Sequence, residues 1–393
     1  MANNHISQKT GKRFTQLLIT LTTTALLTTP TTQLINIKQS LPLENFIKAK
    51  KLLKGIATHT PLQYMPALSE RYDCNVFLKR EDLQVVRSYK IRGAFNKMSN
   101  TPRELLDNGV VAASAGNHAQ GVAFSCNRLK VYCEIFMPAN TPNQKINKVK
   151  NFGREFVKII LTGDNFDKAY KAAKKACDDQ GKTFVHPFND LKVMTGQGTV
   201  ALEILEDMEL PIDYFFGAIG GGGFLSGVST VMSYLSPETK IIGVEPAGAA
   251  SMALSIEKGR PTQIPFMDPF VDGAAVGIPG ELTFGVISQL ASDILVVPEG
   301  KVCTTMLEMY NDEGIITEPA GALTIASLDM YREKIKGKTI VVAVSGGNND
   351  INRDDEIKRR SREYERLAAA DHAAAARAVG GEKVINGTEK EAL

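Results

Sequence analysis

The chain has 393 residues, 43% of them hydrophobic, with a formal net charge of +3. That length suits two lobes around a cleft with a sizeable core, and the near-neutral charge argues against a nucleic-acid binder, which carries a basic stripe. Five cysteines without a CxxC pair and five scattered histidines without HExxH exclude a disulfide framework and any metal site of familiar spacing, and fit a reducing compartment.

Residues 1–43 contain no Asp or Glu and carry Lys9, Lys12 and Arg13 ahead of the apolar, threonine-rich run Leu17 to Leu27. They read as a leader, disordered or targeting-like; the run is too short and too polar for a membrane span. Cytoplasm is the expected compartment, an organelle the alternative. From Glu44 to Asp350 strand-like and helix-like runs alternate. The strands expected are Val110–Ala113, Val131–Met137, Phe156–Leu161, Thr183–Pro187, Tyr214–Ile219, Lys240–Val244, Asp293–Val297 and Thr339–Val344, mostly Val, Ile and Phe bounded by turn residues. Among the helices, Thr141-Pro142 supplies a cap and first turn, and Phe166 to Asp179 carries helical spacing and ends before Gly181. The basic stretch Lys145 to Lys158 reads as the solvated face of a helix followed by a strand. Ile351 to Leu367 reads as a charged helix, and Ala368 to Leu393 as a helical or disordered tail. This alternation predicts an α/β fold of parallel sheets covered by helices on both faces, with ligands beyond the carboxyl ends of the strands.

Three loops lie at such ends, and a fourth opens a helix. In Ser88 to Ala94, Lys90 opens a helix; alone it reads as a surface lysine, but in a cleft a desolvated amine forms imines with aldehydes. Ser114-Ala115-Gly116-Asn117-His118 opens a helix whose free N–H groups can hold a carboxylate; the alternative is that Ser114 or Asn117 caps the helix. Gly220-Gly221-Gly222-Gly223 lets the backbone approach a phosphate at a helix N-terminus, rather than being a mere tight turn. It is neither a Walker loop nor GxGxxG in register, although Glu245, about 20 residues on, stands where a ribose-binding acid would; this keeps a nicotinamide-dependent oxidoreductase as a rival. Ser345-Gly346-Gly347-Asn348-Asn349 offers a hydroxyl to a heterocyclic nitrogen, or is a plain strand-end turn; as a nucleophile elbow it lacks the first glycine.

Taken together, KREDLQ at 79–84, SYKIRGA at 88–94, SAGNHAQG at 114–121, GGGG at 220–223, EPAGA at 318–322 and SGGNND at 345–350 resemble the fold-type II pyridoxal 5'-phosphate (PLP) enzymes, the tryptophan synthase β superfamily. More closely, they resemble the threonine dehydratases (threonine ammonia-lyases), over roughly Leu43 to Leu367. The resemblance implies two domains, each a mostly parallel twisted sheet flanked by helices: 44–107 plus 190–350 as the large PLP-binding domain and 108–189 as the small one, with 351–393 a helix and tail. It implies that Lys90 holds PLP as a Schiff base and, once freed, takes the α-proton. Gly220, Gly221, Gly222, Gly223 and Phe224 would bind the cofactor phosphate, itself the acid for the departing hydroxide. Tyr89 would pack beside the cofactor, Asn117 would meet the ring 3-hydroxyl, and Ser345 the pyridine nitrogen, favouring prompt elimination over transamination. Ser114, Ala115, Gly116 and His118 would hold the substrate carboxylate. The implied reaction takes L-threonine to 2-oxobutanoate, and L-serine to pyruvate, with ammonia, in isoleucine biosynthesis or threonine catabolism.

The implied partners are a small amino-acid substrate and further copies of the chain, as homodimer or homotetramer, with no nucleic acid and no membrane. Serine racemase and hydroxyaspartate dehydratase remain alternatives. Glu245 and Ala249 match the divalent-cation site of the racemases, but Ser251 stands where an aspartate ligand is expected, which weakens Mg²⁺ or Ca²⁺ binding; a capped strand end is the other reading of Glu245, and no metal is expected. The 26 residues after Leu367 are too few for the regulatory domain of biosynthetic threonine dehydratases, so isoleucine inhibition is expected to be absent.

Overall fold

The computed structural model describes residues 35–385, with side chains through residue 370. The basic and threonine-rich part of the expected leader, up to residue 34, and the end of the tail, beyond 385, lie outside the described residues.

Among the described residues ten strands form two sheets: β1 Leu62–Tyr64, β2 Asn75–Arg80, β3 Val110–Ala113, β4 Cys133–Met137, β5 Val157–Leu161, β6 Thr183–Phe184, β7 Tyr214–Ala218, β8 Lys240–Pro246, β9 Asp293–Val297 and β10 Thr339–Val344. One sheet has the order β1-β2-β10-β7-β8-β9, the other β5-β4-β3-β6. Every pairing is parallel except β1 on β2. The central strand β10 is buried along its whole length. Its alternation explains the layers: Ile340, Val342 and Val344 join one core cluster, Val341 and Ala343 the cluster on the opposite face. β3 divides likewise, Val110 and Ala112 against Val111 and Ala113. Both faces of both sheets are therefore covered, as parallel sheets require.

The eight strands expected from sequence are present, three with the expected bounds, four with one end shifted by a residue or two, and one shortened by three. β6 is the shortest: after Val185, His186 turns the chain by accepting the N–H groups of Phe188 (3.2 Å) and Asn189 (2.9 Å) at Nδ1. Strands β1 and β2 lie outside the runs that the sequence pattern marks as strands. β1 is a three-residue edge, and β2 ends in Lys79 and Arg80, charges that hide a buried strand. Lys79 has no exposed surface; its Nζ donates to Thr60 O at 2.7 Å and lies 3.0 Å from Glu203.

Five helices position the candidate site: α1 Lys90–Ser99, α2 Asn117–Leu129, α3 Asn143–Gly153, α4 Leu191–Asp207 and α5 Gly223–Leu235. Helix α3 begins one residue later than the Thr141-Pro142 signal suggests, with Pro142 as its N-cap; the Thr141 hydroxyl turns back to Pro138 O at 2.7 Å and caps nothing. Two more, α6 Ser251–Lys258 and α7 Glu281–Leu290, flank the glycine loop and the end of β8, and α8 Asp354–Ile385 closes the described chain. The core reaches back past the expected leader boundary, for Leu41 is fully buried among residues of α4 and α5.

Candidate active site

Lys90 is the first residue of α1, and its Nζ donates to Pro187 O at 3.0 Å. The side chain is only partly open to solvent. Desolvation pulls its ammonium down to about 8, against a smaller upward pull from Glu318. A substantial share of the amine is therefore neutral near physiological pH, as imine chemistry needs.

The tetraglycine follows β7 and opens α5. Gly222 is its N-cap at φ +89°, where a side chain would be strained. A Cβ on Gly221 would sit 2.2 Å from the Phe188 ring, so a side chain there would fill the cradle. Thr283 of α7 fixes the loop from the other side, its hydroxyl donating to Gly221 O at 2.6 Å. The first N–H groups of a 13-residue helix are left to face an anion. Lys90 and the glycines thus share one strip of chain, Pro187-Phe188. Tyr89 completes the link, its ring centroid 4.5 Å from that of Phe224; burial raises the phenol well above its ordinary range.

The other two loops meet these. Tyr89 N donates to Ser345 O at 3.3 Å, and the Ser345 hydroxyl, buried, donates to Ala320 O at 3.1 Å. Asn117 does not cap its helix. Its Nδ2 donates to Glu318 Oε1 at 2.7 Å and its Oδ1 accepts from Asn348 at 2.7 Å. Ser114 does not cap α2 either, accepting only the Gly116 N–H at 3.2 Å; Gly116 is the N-cap. His118 is buried. Its ring nitrogen Nε2 lies 2.8 Å from Val185 O, and burial followed by the Lys90 charge lowers it to about 3. The main-chain N–H groups of Asn117, His118 and Ala119 stand in the first turn of α2, where a helix has no partners of its own for them.

Sequence reasoning left Glu318, Asn348 and the His186–Asn189 turn without roles. Glu318 is buried, and desolvation, then Asp272, raises its carboxyl to about 7. His186, half-buried and lowered to about 4 chiefly by desolvation, stays neutral and keeps the turn that carries Pro187 O. Glu245 resolves toward capping. Its two oxygens accept Met252 N and Ala253 N, each at 2.8 Å, at the start of α6. Among the described residues no helix is long and apolar enough to cross a membrane.

A lysine that is half neutral near pH 8, a glycine cradle at a helix N-terminus and a half-buried amide with an N–H to spare fit an aldehyde-bearing aromatic phosphate. The profile of the pyridoxal-phosphate dependent enzymes matches residues 53–346, and the chain belongs to that family. Within the family it groups with the threonine dehydratases. It is 54% identical over 325 residues to the biosynthetic L-threonine dehydratase of Halalkalibacterium halodurans (83% of this chain, 78% of that one) and 54% identical over 324 residues to that of Bacillus subtilis (82% and 77%). Among solved structures, the processed form of threonine deaminase isoform 2 from Solanum lycopersicum superposes with a TM-score of 0.77 at 38% identity, covering 81% of this chain and 93% of that one. Serine racemase from Dictyostelium discoideum superposes at 0.73 with 28% identity, covering 79% and 100%.

Proposed function

We propose that the chain converts L-threonine to 2-oxobutanoate and ammonia, and L-serine to pyruvate and ammonia by the same steps. The observation that carries this is Lys90, a desolvated amine held at Pro187 O beside the glycine cradle; the identity to threonine dehydratases supports the substrate. Lys90, Tyr89, Asn117, Phe224, Ser345 and the four glycines are the proposed cofactor set, and Ser114 to His118 the proposed carboxylate set, through main-chain N–H groups.

Bound PLP supplies an aldehyde for amine capture and an electron sink for the α-carbon. The protein's own groups do the rest. The N–H groups opening α2 orient the substrate carboxylate. Lys90 Nζ, neutral once released, receives the α-proton. The β-hydroxyl takes up a proton and leaves as water, and the resulting enamine tautomerises to an imine whose hydrolysis leaves the oxo acid and ammonia. The Ser345 hydroxyl is neutral and its proton can turn from Ala320 O to a facing ring nitrogen, so unlike a carboxylate it does not enforce a proton there.

The two domains are proposed at 44–107 plus 190–350 and at 108–189, with the cleft between them. A homodimer or homotetramer in the cytoplasm is proposed as well; five free, buried cysteines support a reducing compartment. The test is direct: purified protein, PLP and L-threonine, with 2-oxobutanoate followed. Product from the native chain and none from Lys90→Ala supports the reading; no product and no visible Schiff-base band from folded native protein overturns it.

A further inference from the structure

Four side chains form a hydrogen-bond chain that passes back and forth between the loops of the two sheets. Lys148 Nζ, on α3, donates to Asn348 Oδ1 at 3.2 Å. Asn348 Nδ2 donates to Val86 O at 2.9 Å and to Asn117 Oδ1 at 2.7 Å. Asn117 Nδ2 donates to Glu318 Oε1 at 2.7 Å. The two ends of an asparagine amide have nearly the same shape, so the chemistry of the neighbours decides which end goes where. An ammonium can only donate and a main-chain carbonyl can only accept. Lys148 on one side and Val86 O on the other therefore leave Asn348 a single orientation. Asn348 then presents N–H to Asn117, and Asn117 must show it oxygen. Its nitrogen faces Glu318, and one hydrogen of that NH₂ group is left over.

We propose that Lys148, acting through Asn348, and Glu318 are positioning residues that lock the Asn117 amide with its NH₂ edge free, so that Asn117 donates to the 3-oxygen of the cofactor ring. This rests on the proposed placing of Asn117 against that oxygen. A donor there favours the anionic oxygen, because a hydrogen bond to a charged acceptor is the stronger kind. Lys148 needs no contact with the cofactor; its part is to set the direction of the chain. Neither composition nor the local pattern of α3 singles it out from Lys145 or Lys150.

The experiment compares visible spectra of the PLP-loaded native enzyme, Lys148→Met, Lys148→Arg and Lys150→Met at one pH. Lys150 is exposed on the same helix and controls for lost charge. The long-wavelength band reports the anionic ring oxygen. Lys148→Met is expected to lower its ratio to the short-wavelength band by about tenfold, Lys148→Arg to restore it, and Lys150→Met to leave it unchanged. Glu318→Leu, which removes the acceptor at the other end, is expected to move the ratio the same way. An unchanged ratio in Lys148→Met, or an equal shift in Lys150→Met, overturns the proposal. A native enzyme with no such bands, and with Lys90 unlabelled by borohydride, defeats the cofactor reading itself and is distinguishable from either.

Discussion

Arg92 grips Glu203 through two parallel hydrogen bonds, Nη1 to Oε1 at 2.6 Å and Nη2 to Oε2 at 2.8 Å, and both side chains are buried. The same guanidinium bonds Glu81 at 2.7 and 2.8 Å. Arg92 lies two residues beyond Lys90 on α1, while Glu203 lies on α4, the helix that leaves the Pro187–Asn189 turn. The pair therefore fixes Lys90 relative to the carbonyl that holds it. Removing one partner strands buried charge. Arg92→Leu is expected to cost about 3–5 kcal/mol, read by denaturant unfolding; a loss below about 1 kcal/mol would show that the pair is not stabilising in this way.

Lys90→Ala is expected to lower 2-oxobutanoate formation by at least about 10³-fold, since both cofactor attachment and the base are removed. Borohydride reduction of the native enzyme with bound PLP should label Lys90 in a peptide map. Label on another lysine would reassign the site.

The lowered Lys90 fixes a pH dependence and its sign. Its ammonium titrates at about 8 rather than its ordinary 10.5, with burial the main cause. Only the neutral amine attacks an aldehyde. Capture of PLP by cofactor-stripped protein should therefore accelerate about tenfold per pH unit below 8 and level off above it. Between about 8 and 10.5 the unfolded lysine holds a proton that the folded one has lost, so stability of the stripped protein rises with pH across that window. A capture rate still climbing at pH 10 would mean a solvated lysine.

Much of this site could be read in the sequence, because its parts are local. Four glycines between a strand and a helix declare a cradle within a few residues, and Lys90 stands inside a motif at a helix start. What stayed hidden depends on distance along the chain. Asn117 and Glu318 are 201 positions apart, and Asn117 and Asn348 231, so no local pattern pairs them. β2 was missed because Lys79 and Arg80 look solvated until Glu203 and Asp82 are seen to neutralise them. The motif around His118 likewise hides where its ring goes, for the partner of Nε2 is Val185 O, 67 positions further along the chain.

Gly221 and Gly116 should part company under the same substitution. A Cβ at Gly221 meets the Phe188 ring at 2.2 Å, while nothing lies within 4 Å of one at Gly116. Gly221→Ala is expected to cost about 1–3 kcal/mol by overpacking and to weaken PLP binding. Gly116→Ala should stay within about 0.5 kcal/mol of native stability, with any effect appearing in KM for threonine. Equal stability losses at the two positions would mean that the cradle is not packed against Phe188.

Glu245 bears on whether a divalent cation takes part. Both its oxygens already accept main-chain N–H groups of α6, and burial raises the carboxyl to about 7 in spite of those bonds. Ser251, at the first position of α6, offers a neutral hydroxyl where a hard cation needs anionic oxygen. A cation here would have to pull the carboxylate away from two amides and leave them unpaired, at about 1–3 kcal/mol each. Prolonged dialysis against EDTA is therefore expected to change the dehydratase rate by less than about twofold, and added Mg²⁺ to leave the melting temperature where it was. Glu245→Ala, by contrast, should destabilise the fold with or without the chelator, because its work is to hold the start of α6. A chelator-sensitive rate restored by Mg²⁺ would show that the carboxylate exchanges its amides for a metal.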